Sequence, residues 1–343
     1  MQLTFSTYNN PKDLGAGALS SDWSAFVHEH PQGNFFQSPE AFTLFAQTTD
    51  YRPVLLIGRQ ADGAIAASLL AVVQTNGSGL KSWLSRRIIV WGGPLLGNSD
   101  DRLAVLEQTL DKLGQYARGS SIFMEIRNFA DTSAVQSSFE AAGFEFRPHL
   151  NFLVRTDEMA AVRKRMSSSR WRQIKSSRKA GAEIALPSNE QEVRDFYDIL
   201  HTLYKEKVKK PLPGFDLFRA IWQSPSCKLF LVKREGEVLG GIACPIFADR
   251  IIYEWYVCGR DGEEKGLHPS VLATWAPIEY AVENGLDHFD FMGAGKPDQD
   301  YGVREFKARF GGEEVAYGRY HCVVNKPLYE IGKLGLEVYQ KLS

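Results

Sequence analysis

Leu229-Phe230-Leu231-Val232-Lys233-Arg234-Glu235-Gly236-Glu237-Val238 is the stretch that decides the fold. An apolar run meets a tight Glu-Gly-Glu turn and returns through a small-residue-rich strand that reaches Phe247, which reads as a β-hairpin. The same pattern stands earlier in the chain. Val54-Leu55-Leu56-Ile57-Gly58-Arg59-Gln60 leads into the turn Ala61-Asp62-Gly63 and a return strand from Ala64 to Val73. Working outward, each hairpin is followed by the same series of elements. In the first half a helix over 102–117, a strand over 121–127, a helix over 132–142, Gly143 and a strand over 144–154 are expected. In the second half they are a helix over 269–284, a strand over 288–292, a helix over 302–310, Gly311-Gly312 and a strand over 314–324. Phe139-Glu140-Ala141-Ala142-Gly143 aligns with Phe306-Lys307-Ala308-Arg309-Phe310-Gly311, with one extra residue before the glycine.

This duplication predicts two related α/β (α+β) domains, 1–155 and 156–343, each a mixed sheet flanked by helices, with a cleft between them as a natural ligand site. A length of 343 residues agrees with two cores rather than one. Forty basic and 41 acidic side chains nearly cancel, so a polyanionic partner must be met by a local patch. No apolar run approaches the ~20 residues of a membrane span, and Met1-Gln2-Leu3-Thr4-Phe5 opens without the charged-then-apolar pattern of a leader. A cytoplasmic location is expected, with no metal or redox centre. Cys227, Cys244, Cys258 and Cys322 lack metal or disulfide spacing and read as free thiols, and the histidines show no metal spacing either.

The basic patch lies at the start of the second half. Between Arg163 and Lys179 stand eight Lys or Arg residues and no acid, and from Arg170 the pattern is helical. Trp171, Ile174 and Arg178 fall near one face, while Arg172, Lys175 and Lys179 recur on another. Two readings stand side by side: a solvated helix face, or a grip on phosphates, which the missing acids favour.

Near the other end, Phe289-Asp290-Phe291-Met292-Gly293-Ala294-Gly295-Lys296 runs from a strand into a glycine loop, then through an acidic turn to the helix that begins near Tyr301-Gly302. The glycines permit positive φ and an anion cradle, although the loop lacks the spacing of a phosphate-binding P-loop. On the helix, Val303, Phe306 and Phe310 share the face expected to be buried, leaving Arg304 and Lys307 on another. Because Glu140 occupies the position of Lys307 in the first copy, the fold itself does not require that lysine. Beside the loop it can stabilise charge developing on an attacked carbonyl oxygen. Tyr301 and Arg304 are candidate substrate contacts, as is Tyr204, between a helix over 190–203 and a lysine-rich loop. Glu254 is an acid within the apolar run Ile251 to Val257, either a base of raised pKa or the partner of a cation. Gln37 and Ser38 precede the proline-started helix at Pro39, where Ser38 reads as an N-cap or as part of a cleft wall.

The Phe306-Lys307-x-x-Phe310-Gly311 motif after Asp290-Phe291-x-Gly293, the Arg170-x-Arg172-x-Ile174-Lys175 helix ending in Lys179-Ala180-Gly181, and Phe36-Gln37-Ser38-Pro39 together resemble the FemABX family of peptidoglycan aminoacyltransferases. The resemblance is spread over most of the chain. It implies two tandem GNAT-like (acetyltransferase-type) domains, each with a mixed, mostly antiparallel sheet. It also implies an enzyme that moves an amino acid from aminoacyl-tRNA to an amino group of a peptidoglycan precursor, without a cofactor. By resemblance, Phe306 and Lys307 are the catalytic pair. Arg170, Arg172 and Lys175 lie in the segment near the precursor phosphates, and Gln37 and Ser38 stand at the mouth of the cleft. Aminoacyl-tRNA and a nucleotide- or lipid-linked precursor are the implied partners, with peripheral membrane contact and a monomer or weak dimer. The long helical-pair arm of some members is missing here. On this reading Lys307→Ala abolishes transfer with the fold intact.

Two rivals remain. An acyl-CoA-dependent N-acyltransferase would place pyrophosphate on Arg260-Asp261-Gly262-Glu263-Glu264-Lys265-Gly266-Leu267-His268, where two glutamates count against it, and would use Glu254 as base. A noncatalytic module would use the basic helix to hold a nucleotide-sugar or RNA.

Overall fold

A computed structural model describes residues 2–15, 18–77, 79–99, 101–299 and 302–342. Up to residue 148 the chain forms strands β1 (Thr4–Tyr8), β2 (Tyr51–Arg59), β3 (Ile65–Gln74), β4 (Arg87–Trp91), β5 (Leu95–Leu96), β6 (Phe123–Arg127) and β7 (Glu145–Arg147). Its helices there are α1 (Ala18–Glu29), α2 (Pro39–Ala46), α3 (Gly79–Leu84), α4 (Arg102–Ser120) and α5 (Gln136–Ala141). Next come β8 (Asn151–Arg155), α6 (Met159–Arg165), α7 (Ser168–Lys179), β9 (Glu183–Ala185), α8 (Glu190–Leu203) and α9 (Phe215–Gln223). They are followed by β10 (Cys227–Arg234), β11 (Glu237–Phe247), β12 (Ile251–Tyr253), β13 (Tyr256–Gly259), α10 (Pro269–Glu283), β14 (His288–Asp290), α11 (Gly302–Ala308) and β15 (Glu313–Val315). The chain closes with β16 (Arg319–Val323) and α12 (Lys326–Leu342). None of the described helices is long and apolar enough to cross a membrane.

Both hairpins form as the sequence predicts, β2 with β3 and β10 with β11. Their strands are buried on both faces over most of their length, which accounts for the unbroken apolar runs. The first sheet runs β1-β2-β3-β4-β6-β16-β7 and the second β15-β8-β14-β12-β11-β10-β9, each mostly antiparallel with one parallel pair, β4 with β6 and β12 with β14. Each sheet carries its own core. Leu69, Val90, Leu110 and Phe139 belong to the first, and Ile242, Trp275, Phe289 and Phe310 to the second.

The chain divides into compact units of 1–148 with 317–343, and 149–316. The linear boundary expected at 155/156 falls inside the second unit, at the end of β8, and the first unit takes up the chain again after residue 316. The runs 144–154 and 314–324, each expected as one strand, are both broken in two. β7 stays in the first sheet whereas β8 pairs with β14 and β15 in the second. In the same way β15 stays in the second sheet and β16 pairs with β6 and β7 in the first. The physical reason is that strand propensity is local while ladder partners are not: Pro148 and Gly318 (φ 68°) interrupt the two runs and free their second halves to exchange.

Candidate active site

In the second unit the strand that follows the hairpin is split at Glu254 and Trp255. Ile252 pairs with Ile246 on one side and Tyr256 with Ala243 on the other, which leaves one residue more on the β12–β13 side than on β11. Such a bulge re-aims side chains and ends pairing. β12 is laddered to β14, but β13 pairs with β11 and not with β14, so the sheet opens at Glu254. The Glu254 amide makes the last bond across, to the Asp290 carbonyl at 2.8 Å.

Lys307 bridges this opening. From α11 its ammonium donates to the carbonyls of Phe291 and Gly293, both at 2.8 Å, and meets Glu254 Oε1 at 2.8 Å. All three ammonium hydrogens are thereby matched to acceptors. Both residues are buried, at 8% and 5% exposure, and Glu254 Oε2 is buried with no hydrogen-bond partner. Burial pushes the Glu254 carboxyl above the usual range, with the Lys307 charge opposing that rise. The sequence placed Lys307 on the outer face of its helix and Val303 on the inner. In the structure Val303 is exposed and Lys307 is inside, because three acceptors await an ammonium there and none awaits a methyl group.

The same place in the first unit lacks both partners. Gly92 donates to Arg127 O at the end of the β4–β6 ladder, as Glu254 does to Asp290 O, and the helix position of Lys307 is held by the exposed Glu140. The Glu254–Lys307 pair thus belongs to one copy of the duplicated fold.

The amides that open the glycine loop are already engaged and do not cradle an anion. The amides of Met292, Gly293 and Ala294 are spent on Asp290 Oδ1 (2.5 Å), Asn151 Oδ1 (2.7 Å) and Leu150 O (2.6 Å). Its carbonyls are held by cations instead: Arg304 donates to Ala294 O at 3.2 Å and also to the carbonyls of Lys296 and Pro297. Arg304 is thus a staple for the loop. Tyr301 lies outside the described residues.

Asp290 and Asn151 also belong to the site, and an acid flanked by phenylalanines is the sequence signal for the first. Asn151 Nδ2 donates to Asp290 Oδ1 at 2.7 Å. Burial lifts the Asp290 carboxyl to about 6, against the pull of these bonds and of Lys307. A carboxyl whose folded pKa is raised contributes most below its unfolded value, and that contribution is lost as pH rises through about 6. Asp290→Asn keeps an acceptor for Asn151 and Met292. It is expected to gain up to ~3 kcal/mol over the wild type at pH 8, the gain vanishing near pH 4, as read from urea midpoints.

Arg170 joins the basic helix to the Phe-Lys helix. Its guanidinium lies 4.3 Å from the Phe306 ring centroid and 4.9 Å from that of Phe310, and it donates to Phe306 O at 3.1 Å and Gln173 Oε1 at 2.7 Å. It is buried, and desolvation, seconded by Arg309, lowers its pKa to about 10. At α7's start Ser167 caps Arg170 N and donates its own amide to Arg309 O. The inner face of α7 packs Ile174 into the core and Trp171 edge-on to Trp275 of α10. Arg172, Lys175 and Lys179 are exposed, and among the described residues none of them is ion-paired.

The remaining candidates lie elsewhere. Tyr204 opens a turn of π-helix after α8, and its ring stands 6.2 Å from that of Tyr256. Gln37 and Ser38 are fully buried in the first unit. Ser38 caps α2 through Ala41 N. Gln37 binds Leu70 N, Leu70 O and Trp91 O at 2.8, 2.9 and 2.9 Å, filling the place where β3 and β4 part. A side chain at Gly93 would meet that amide at 2.7 Å.

Residues 163–307 match the acetyltransferase (GNAT) domain family, a span that runs from the basic segment to Lys307. An 82-residue segment is 28% identical to aminoacyltransferase FemA of Staphylococcus epidermidis, covering 22% of this chain and 20% of that protein. The match therefore spans a minor part of the curated relative's length. FemX superposes with a TM-score of 0.66 at 15% identity, over 92% of this chain and 98% of its own. In fold the chain is similar to FemX. A tandem GNAT protein of the clavulanic acid biosynthesis pathway also superposes on the chain, with a TM-score of 0.57 at 10% identity over 94% and 99% of the two chains. The two units are tandem GNAT-like domains.

Proposed function

We propose that the FemABX-like chain is an acyltransferase that moves an aminoacyl group from aminoacyl-tRNA to an amino group of a peptidoglycan precursor. The observation that carries this reading is the Arg170 bridge, which fixes a helix with exposed, acid-free cationic positions against the Phe306-Lys307 helix at the sheet opening. A phosphate-rich donor or acceptor held on Arg172, Lys175 and Lys179 would lie beside a buried positive charge. In the reaction the acceptor amine attacks the ester carbonyl, negative charge gathers on the carbonyl oxygen, and the ribose oxygen of tRNA leaves with a proton. Lys307 and its counter-ion Glu254 supply a fixed ion pair, its positive end turned to the loop carbonyls, where water is excluded and electrostatic effects are strengthened. The lysine's own donors are spent within the protein, so the pair acts by placement and by field.

The acyl-CoA reading is weaker on one local ground. A pyrophosphate would sit at the N-terminus of α10, where backbone amides face outward. There the Asp261 carboxylate accepts from Ser270 N at 3.2 Å, and Glu264 is held by both terminal nitrogens of Arg234 at 2.5 and 2.6 Å. Carboxylates at that end repel phosphate.

Incubating the protein with charged tRNA or acyl-CoA and candidate precursors, and following the precursor's mass, tests the reading. A gain that requires charged tRNA is expected. Transfer from acyl-CoA alone would overturn the donor, and no transfer from either would leave a binding module. Arg172→Ala, Lys175→Ala and Lys179→Ala combined are expected to raise KM for the phosphate-rich substrate they hold, precursor or tRNA, about tenfold or more. The same variant should flatten the salt dependence by about two to three counterions, with kcat nearly unchanged.

A further inference from the structure

We propose that the outer face formed by α3 and α12 in the first unit seats on an anionic lipid surface. α12 begins well anchored. Asn325 Oδ1 accepts from Leu328 N at 3.1 Å, and the Tyr329 ring packs edge-on against Phe123 and His321. Gly332 then lets the helix lie close to α3, since a side chain there would come within 3.3 Å of Leu84 O. With that inner side committed, Ile331 and Leu334, three residues apart and so on one face, point outward at 52% and 61% exposure. Trp83 of α3 is 43% exposed, so three large apolar side chains stand on two packed helices.

Charge chooses the occupant. Arg86 lies over the Trp83 ring at 5.2 Å and donates to Trp83 O at 3.1 Å, joining a cation to an indole as residues at membrane–water boundaries do. Lys326 and Lys333 are exposed on α12, with one exposed acid, Glu330, between them. The sequence between Asp62 and Asp100 contains Lys81, Arg86 and Arg87 and no acid. Apolar side chains to enter the headgroup region and cations to meet its phosphates are the two halves of interfacial binding. The inference does not depend on the transfer chemistry.

The test is sedimentation of the full chain with vesicles of phosphatidylglycerol and phosphatidylcholine in equal parts, against vesicles of phosphatidylcholine alone. The expected result is binding to the anionic vesicles that falls with salt and is weak on the neutral ones. Trp83→Ala, Ile331→Ser and Leu334→Ser combined should lower the partition coefficient about tenfold or more, with circular dichroism and Tm unchanged. Arg86→Gln with Lys333→Gln, which leaves the apolar residues in place, should reduce binding to anionic vesicles alone. Failure to bind anionic vesicles overturns the proposal, as does undiminished binding by the first variant. A lipid-free dimer abolished by the same substitutions would assign the face to a second copy of the chain instead.

Discussion

Lys307→Met alone, or Glu254→Leu alone, is expected to destabilise the second unit by about 3 to 5 kcal/mol, as read from its denaturant midpoint. Each single change leaves a charge buried without its counter-ion, and Lys307→Met also strips the donor from the carbonyls of Phe291 and Gly293. That cost stands against the sequence-based expectation that Lys307 can be removed with the fold intact. The pair holds the two diverging strand ends together, so a lost activity in Lys307→Ala would not by itself assign chemistry. Lys307→Met combined with Glu254→Leu makes the distinction. Removing both charges should recover most of the stability, short of the wild type because the two carbonyls still lack a donor. Transfer should stay at least a hundredfold down if the charge acts on the reaction. A double variant that is both stable and fully active would leave the pair with a scaffolding role only, and a single variant of wild-type stability would sink the account of the buried pair.

Gln37→Leu is expected to cost about 3 kcal/mol or more. Three backbone groups, Leu70 N, Leu70 O and Trp91 O, lose their partner in a fully buried place, and each such loss costs about 1 to 3 kcal/mol. The resemblance put Gln37 at the mouth of a cleft, whereas the structure commits its whole amide to the first sheet. The remaining folded protein should keep its kcat/KM. A Gln37→Leu variant with unaltered thermal stability and a raised KM would return the residue to the substrate.

What the sequence showed and what it hid follow one physical line. The hairpins were legible because apolar runs bounded by Asp-Gly and Glu-Gly turns encode strand, turn and register within about twenty residues. The basic helix was legible for the same reason, by its missing acids. Glu254 could be singled out as an acid in an apolar strand, but its partner is a lysine 53 positions later in the same unit, and nothing local names that residue. Arg170 and Arg172 look alike in sequence. Only the packing of α7 on α11 buries the first against two adjoining phenylalanine rings and leaves the second in solvent. The exchange of β8 and β16 was invisible on similar grounds, since a strand's sequence does not say which open sheet edge it will join.

That exchange sets an order of assembly. Asn151 pairs with Val315, so both ends of the 149–316 unit lie side by side in one ladder, and every strand of its sheet is available once residue 315 has been made. β6 and β7 have no bond to each other and must wait for β16, whose last paired residue is Val323. The half of the protein that is synthesised first is thus completed last, with the edge of β6 open while the later unit closes.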